Sequence, residues 1–284
     1  MWEIIKFIFG FNIGFMKWGP GVHLHIANKL LENEKFEELE IVKENKTYFL
    51  YGSVSPDITL GKKYIKEIDK HCHKWETALN ILNNSKNDRE KAVALGYITH
   101  LAADVIAHNF YVPKELLISR GLKNFLHTVM EVKVDILFYK DAEELLREIL
   151  KTDFSEEDKF IKKNISKSFL PFALNKKIFE ISLKTSKSRN LYRAFSMFSK
   201  YENWILENKS GIMDYHEISY NLAVDILKNR EKSIVLKYDP NGEIHINSAK
   251  EMKREYIAMG IEGYHKNFYR IPEELKILGG KNNE

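Results

Sequence analysis

The sequence predicts an all-α fold: a single-domain helical bundle with a metal site among its central helices, and at most a small β-hairpin near 237–246. Three observations carry this. Apolar residues gather on one side of a helical wheel, as at Ile26, Leu30 and Leu31, the spacing of an amphipathic helix. Between Gly96 and Phe110, His100, Asp104 and His108 follow at four-residue steps among Leu101, Ala102, Ala103, Val105, Ile106 and Ala107. At about 3.6 residues per turn these three side chains form one slowly drifting stripe. Finally, only Asp239-Pro-Asn-Gly-Glu-Ile-His-Ile carries a hairpin-like turn signal.

Residues 1–17 are apolar but interrupted by Glu3 and Lys6, and too short to span a bilayer. They read as a separate N-terminal segment: a buried or interfacial helix, with an export signal or surface anchor as alternatives. The chain would be cytoplasmic or peripheral to a membrane with this segment retained, and secreted with it cleaved. Residues 18–284 form one helical domain, whose motifs lie in 18–140. A turn at Trp18–Val22 precedes a helix with Ile26, Leu30 and Leu31 inward. Tyr48 to Ile58 begins apolar and breaks at Gly52 and Pro56, leaving Asp57 in a turn. His71 and His73 stand at the mouth of another helix. Asn87 or Asp88 caps the next, expected to run to about Phe110 and stop before Pro113. A long helix is expected from Leu122 to Leu150, another after the Ser155–Asp158 start signal, then segments ending near Asn208, from Gly211 to Asn229, and from Met252 to His265.

The formal charge of +4 is too small to argue for a nucleic-acid partner, although a basic surface weakly favours anionic substrates or lipid head groups. Cys72 is the only cysteine, which excludes an intrachain disulfide and a paired-thiolate zinc site. Gly-x-Gly-x-x-Gly, Gly-x4-Gly-Lys and Gly-x-Ser-x-Gly patterns are absent. Metal chemistry must therefore run on His, Asp and Glu. Seven of the ten histidines fall between His23 and His127, which places function in the first half.

Two imidazoles and a carboxylate on an otherwise apolar helix face need partners, because unpaired burial costs several kcal/mol. One cation serves all three. His127 and Glu131 are again four apart, beside Leu126 and Met130, with Asp135 extending that face as an orienting or surface acid. One of His71 and His73 is a ligand, spacing alone not choosing between them; His23 is favoured over His25, and Cys72 reads as a bystander. Nitrogen and oxygen donors of this kind suit zinc, with manganese or iron as alternatives.

In order, a tryptophan, His23, Pro-Asp at Asp57, a histidine at 71 or 73, His-x3-Asp at His100 and Asp104, His108, and His-x3-Glu at His127 and Glu131 resemble the zinc-dependent phospholipase C family. That family shares its helical fold with the S1/P1-type nucleases. The resemblance implies two or three zinc ions and hydrolysis of a phosphoester, phospholipid at a membrane surface by family default, with a metal-activated water attacking phosphorus. It implies one zinc on Asp57, His71 or His73, His100 and Asp104, and a second on His108, His127 and Glu131. The third would take His23 and Asp104, completed by the amino group and carbonyl of an N-terminal tryptophan. Trp18 would supply these after cleavage at Lys17. Asp57 is also the candidate base. Two other readings stand beside this one: an S1/P1-like nuclease or nucleotidase, since Tyr97, Phe110 and Tyr111 could stack bases or line an acyl groove equally well, and a non-catalytic, metal-stabilised helical protein that binds lipid or a partner.

Overall fold

The computed structural model describes residues 18–59, 71–118, 134–135, 137–166, 171–186, 201–259 and 268–278, and every regular element among them is helical. The N-terminal segment 1–17, His127 and Glu131 lie outside the described residues. In chain order the elements are α1 (Pro20–Asn33), α2 (Leu39–Glu44), α3 (Lys46–Gly52), a 3-10 turn (Ser55–Ile58), α4 (Trp75–Asn83) and α5 (Asp88–Ile106). A π-helical turn (Ala107–Tyr111) leads into α6 (Val112–Ile118), followed by α7 (Tyr139–Lys151), α8 (Ser155–Asn164), α9 (Phe172–Ser186) and α10 (Tyr201–Asn229). Two 3-10 turns (Arg230–Lys232, Ile234–Lys237), α11 (Glu243–Ala258) and α12 (Glu273–Ile277) complete the set. No described helix is long and apolar enough to cross a membrane.

The bundle is built around α5. Every residue from Ala92 to Ile106 is buried, as expected of a helix apolar on all sides. It is enclosed by α3, α4 and α10. Asn87 starts it by accepting a hydrogen bond from the Glu90 amide at 2.9 Å, which satisfies one of the free N–H groups of the first turn. Two glycines let α3 and α5 cross almost backbone to backbone. A Cβ on Gly96 would stand 2.1 Å from the Phe49 carbonyl oxygen, and one on Gly52 2.1 Å from that of Val93. Gly96→Ala should therefore cost at least about 1–3 kcal/mol, the usual range for overpacking a rigid contact, read as a lower urea midpoint. An unchanged midpoint would show that α3 slides without penalty.

Several expected boundaries move, each for a local reason. The central helix does not stop before Pro113. Proline lacks an N–H and its ring crowds the carbonyl four residues back, here that of Asn109. The chain widens into a π turn at that point and continues as α6. Phe138 is a turn residue that starts α7 at Tyr139, so the helix expected to run unbroken to Leu150 is interrupted; residues 122–133 lie outside the described set. Asp153, rather than the Ser155 box, bonds the Ser155 amide at 3.0 Å before α8. Gly211 does not start a helix but lies inside α10.

The hairpin allowed at 237–246 does not form. Asp239 to Gly242 does turn, with the Gly242 amide bonded to the Asp239 carbonyl at 3.1 Å. Gly242 then adopts left-handed φ 58° and the chain enters α11 directly. Ile246, Ala249 and Lys253 are the buried residues of that segment, a helical spacing that overrides the alternation of Ile244 and Ile246.

Candidate metal centre

Four elements deliver side chains to one buried point. Asp57 comes from the 3-10 turn after α3, held there by Pro56 in the first turn. His73 comes from the chain just before α4, His100 and Asp104 from successive turns of α5, and His23 from the first turns of α1. Asp104 is wholly buried. Its Oδ2 lies 3.1 Å from His73 Nε2 and 3.1 Å from His100 Nε2, and its Oδ1 lies 3.4 Å from His23 Nε2. Asp57 Oδ1 stands 3.5 Å from His73 Nε2 and 3.7 Å from His100 Nε2. The two Nε2 atoms are 3.3 Å apart, and the rings of His23 and His100 stack at 3.8 Å.

The hydrogen-bond partners explain why this cluster suits a cation. His100 Nδ1 is 2.8 Å from the Ser53 carbonyl oxygen, an acceptor only, so the ring proton of neutral His100 sits on Nδ1 and its Nε2 is a lone pair. That lone pair faces carboxylate oxygens. Among the described residues, both Asp104 oxygens and both His23 nitrogens are buried without a hydrogen-bond partner, a state that costs on the order of 1–3 kcal/mol per group. Donors each about 2.0–2.1 Å from one tetrahedral zinc would stand about 3.3 Å apart, close to the separations observed. The residues present therefore fit the ion.

Electrostatics point the same way. Burial would raise the Asp104 carboxyl, but His108 and His100 pull it well below the ordinary carboxylate range. Burial, reinforced by repulsion from His100 and opposed by Asp104, lowers His23 to about 4. At neutral pH the centre thus offers an ionised carboxylate and an unprotonated His23, the forms a metal requires.

The remaining expected residues fall in different places. His108 stands beside the cluster, Nδ1 3.9 Å from Asp104 Oδ2, and hydrogen-bonds the Pro240 carbonyl at 2.6 Å. His73, not His71, turns Nε2 into the cluster; His71 Nδ1 accepts from the His73 amide at 3.1 Å. Cys72 Sγ lies 3.4 Å from His73 Nδ1, touching the outer edge of that ring. Asp135 is not a free surface acid. Its carboxylate accepts from the Val22 amide at 3.0 Å and would lie 2.6 and 2.7 Å from a Cβ on Gly19 and Gly21. It thus holds the N-terminus of α1, the helix that carries His23; burial raises it to about 7 against the pull of the Val22 and Gly21 amides. Trp18 is buried, with Nε1 donating to Ser219 Oγ at 3.1 Å and its ring on Tyr111 at 5.0 Å. The Ser53 and Pro240 carbonyls were invisible to motif reading, because any residue supplies a carbonyl.

His25 faces away from the centre. Its Nδ1 is 3.0 Å from His216 Nε2, and Nε2 3.5 Å from Asp141 Oδ2. Burial, then the charges of His25 and Lys29, lower His216 from 6.5 to about 3. The native state refuses a proton that the unfolded chain accepts below pH 6.5, so stability is unaffected above that value and falls as pH drops from 6.5 toward 3. The limiting slope is about 1.4 kcal/mol per pH unit. His216→Phe, beside the stacked Phe138 ring, should flatten the loss of urea stability between about pH 7 and pH 5; an equal loss in both proteins would assign it elsewhere.

An all-helical domain with nitrogen and oxygen donors converging from separate elements is suited to metal-dependent hydrolysis. The family model described as zinc-dependent phospholipase C matches residues 22–188, more than half of the chain, and the chain belongs to that family. The match continues past the last motif, at Glu131, through the whole of α9. Comparisons with curated proteins and with solved structures found no match. The class of the protein is thus a phospholipase C-type hydrolase.

Proposed function

We propose that the chain hydrolyses a phosphodiester, with phospholipid at a membrane surface as the substrate, and that it holds two or three zinc ions to do so. The observation that carries this is the His100 Nε2 lone pair facing carboxylate oxygens of Asp104 and Asp57, with His73 and His23 beside them. Asp57, His73, His100 and Asp104 would hold one ion. His23 and Asp104 would hold another, with Asp104 shared between them. His108 is assigned to a further ion together with His127 and Glu131. Zinc, when bound, supplies Lewis acidity that lowers the pKa of water and neutralises charge on the phosphoryl oxygens.

The chain's own groups do the rest. The Ser53 carbonyl fixes the His100 ring so that Nε2 points inward. The Asp57 side chain is 11 % exposed while that of Asp104 is closed off at 0 %, so Asp57 is the carboxylate at the rim that water reaches. It is assigned to take the proton from the attacking water. Tyr97, Phe110 and Tyr111 are buried and Tyr97 donates to the Cys72 carbonyl, so they offer neither a base-stacking platform nor an acyl groove and favour neither substrate.

The test is hydrolysis by the zinc-loaded chain of phosphatidylcholine vesicles and of single-stranded DNA. Zinc-dependent release of diacylglycerol and phosphocholine is expected. DNA cleavage instead would move the proposal to the nuclease branch. Hydrolysis of neither, in a chain that still melts on chelation, would leave a metal-stabilised binding protein.

A further inference from the structure

We infer that the turn from Tyr238 to His245, beyond the residues the family model matches, is a positioning device that sets the ring of His108 and thereby the ion assigned to it; this rests on the ligand reading above. Five contacts tie the turn to the centre. The Pro240 carbonyl accepts from His108 Nδ1 at 2.6 Å, which places the proton on Nδ1 and the lone pair on Nε2, the tautomer that an Nε2 ligand needs. Asn109 Nδ2 donates to the Asp239 carbonyl at 2.8 Å, while its Oδ1 meets His245 Nδ1 at 2.9 Å. Gly242, at φ 58°, lies so close that a Cβ there would come within 2.5 Å of His108 Cβ. At the other end, Trp75 Nε1 donates to the Tyr238 carbonyl at 2.8 Å, two residues beyond His73. One turn therefore braces the segments that carry His73 and His108.

The local backbone explains why such a brace is needed. His108 stands in the π turn Ala107–Tyr111, whose wider winding departs from the regular ladder that would otherwise fix the ring's direction. Asn109 spends one Nδ2 hydrogen inside the helix on the Val105 carbonyl at 2.9 Å and the other on the turn. A turn that merely filled space would not aim a carbonyl at a ring nitrogen and a glycine at the same ring's Cβ.

The zinc-loaded full chain tests this with three variants: Gly242→Ala, Asn109→Ala and, as reference, His108→Ala. Ions per chain and their affinities are read by chelator competition, and the His108 tautomer by ¹⁵N-histidine NMR, assigned by the loss of its signals in His108→Ala. Gly242→Ala and Asn109→Ala should each release one ion about 10- to 100-fold more readily, as supporting groups around metal ligands do, leave the other ions at parental affinity, and erode the Nδ1-protonated form of His108. Parental affinity for every ion with an unchanged tautomer in both variants overturns the inference. If Gly242→Ala does not fold, Asn109→Ala decides alone by the same readouts. If His108→Ala itself keeps every ion at parental affinity, the ligand assignment has failed, and the tautomer in Asn109→Ala still shows separately whether the turn sets the ring.

Discussion

Asp104→Asn should empty the centre of most of its zinc and lower kcat/KM for the phosphodiester by about 10³-fold, a loss of ~4 kcal/mol at about 1.36 kcal/mol per tenfold. Asn has nearly the volume of Asp, so the cavity around α5 is preserved and the change is one of charge and donor number. Among the described residues, Asp104 lies within 3.4 Å of His23, His73 and His100 together. A neutral amide offers a single oxygen, and its NH₂ would be directed at imidazole lone pairs instead of sharing an ion with them. The measurement is zinc per chain alongside kcat/KM, with far-ultraviolet circular dichroism to show the helices intact. An Asn variant that keeps its full complement of metal and its rate would remove Asp104 from the centre and break the proposal at its middle.

Stripping metal from the wild-type chain is the second large effect expected, on stability as well as on turnover. An ion that binds the native state at a concentration about 1,000-fold above its Kd contributes ~4 kcal/mol. At roughly 2–4 °C per kcal/mol for a domain of this size, chelation should lower Tm by about 10 °C. The physical source is the set of buried Asp104 and His23 atoms that have no hydrogen-bond partner among the described residues; without a cation their desolvation is uncompensated. Zinc should restore the lost stability and magnesium should not, because magnesium prefers oxygen donors in octahedral geometry and retains its waters. A Tm that does not move when metal analysis shows complete removal would mean that the cluster carries no structural ion.

The four-residue step from His100 to Asp104 exposed the stripe on α5, because helical period converts sequence spacing into direction; His108, one step further, stands in the π turn. The choice of His73 over His71 was not legible, since two residues at a helix mouth differ only in how the preceding chain enters it. Asp135 looked like an extension of a metal-binding face, yet its carboxylate belongs to the N-terminus of α1, a contact across more than a hundred residues. The break expected at Pro113 was drawn from a sound local rule, and the π turn answered it with a different local geometry. Histidine counts concentrated the candidate ligands in the first half and could not show the hydrogen bond that the Pro240 carbonyl, far along the chain, makes to His108.

By itself the sequence determined the helical class, the nitrogen-and-oxygen character of the donors and the family, because each is written in residue type and short-range spacing. Tertiary structure alone decided which imidazole nitrogens face inward, how closely α3 may approach α5, and which backbone carbonyls orient the rings. Those choices depend on hydrogen bonds and close contacts between segments remote in the chain, and the carbonyl group that makes several of them is common to all twenty residues.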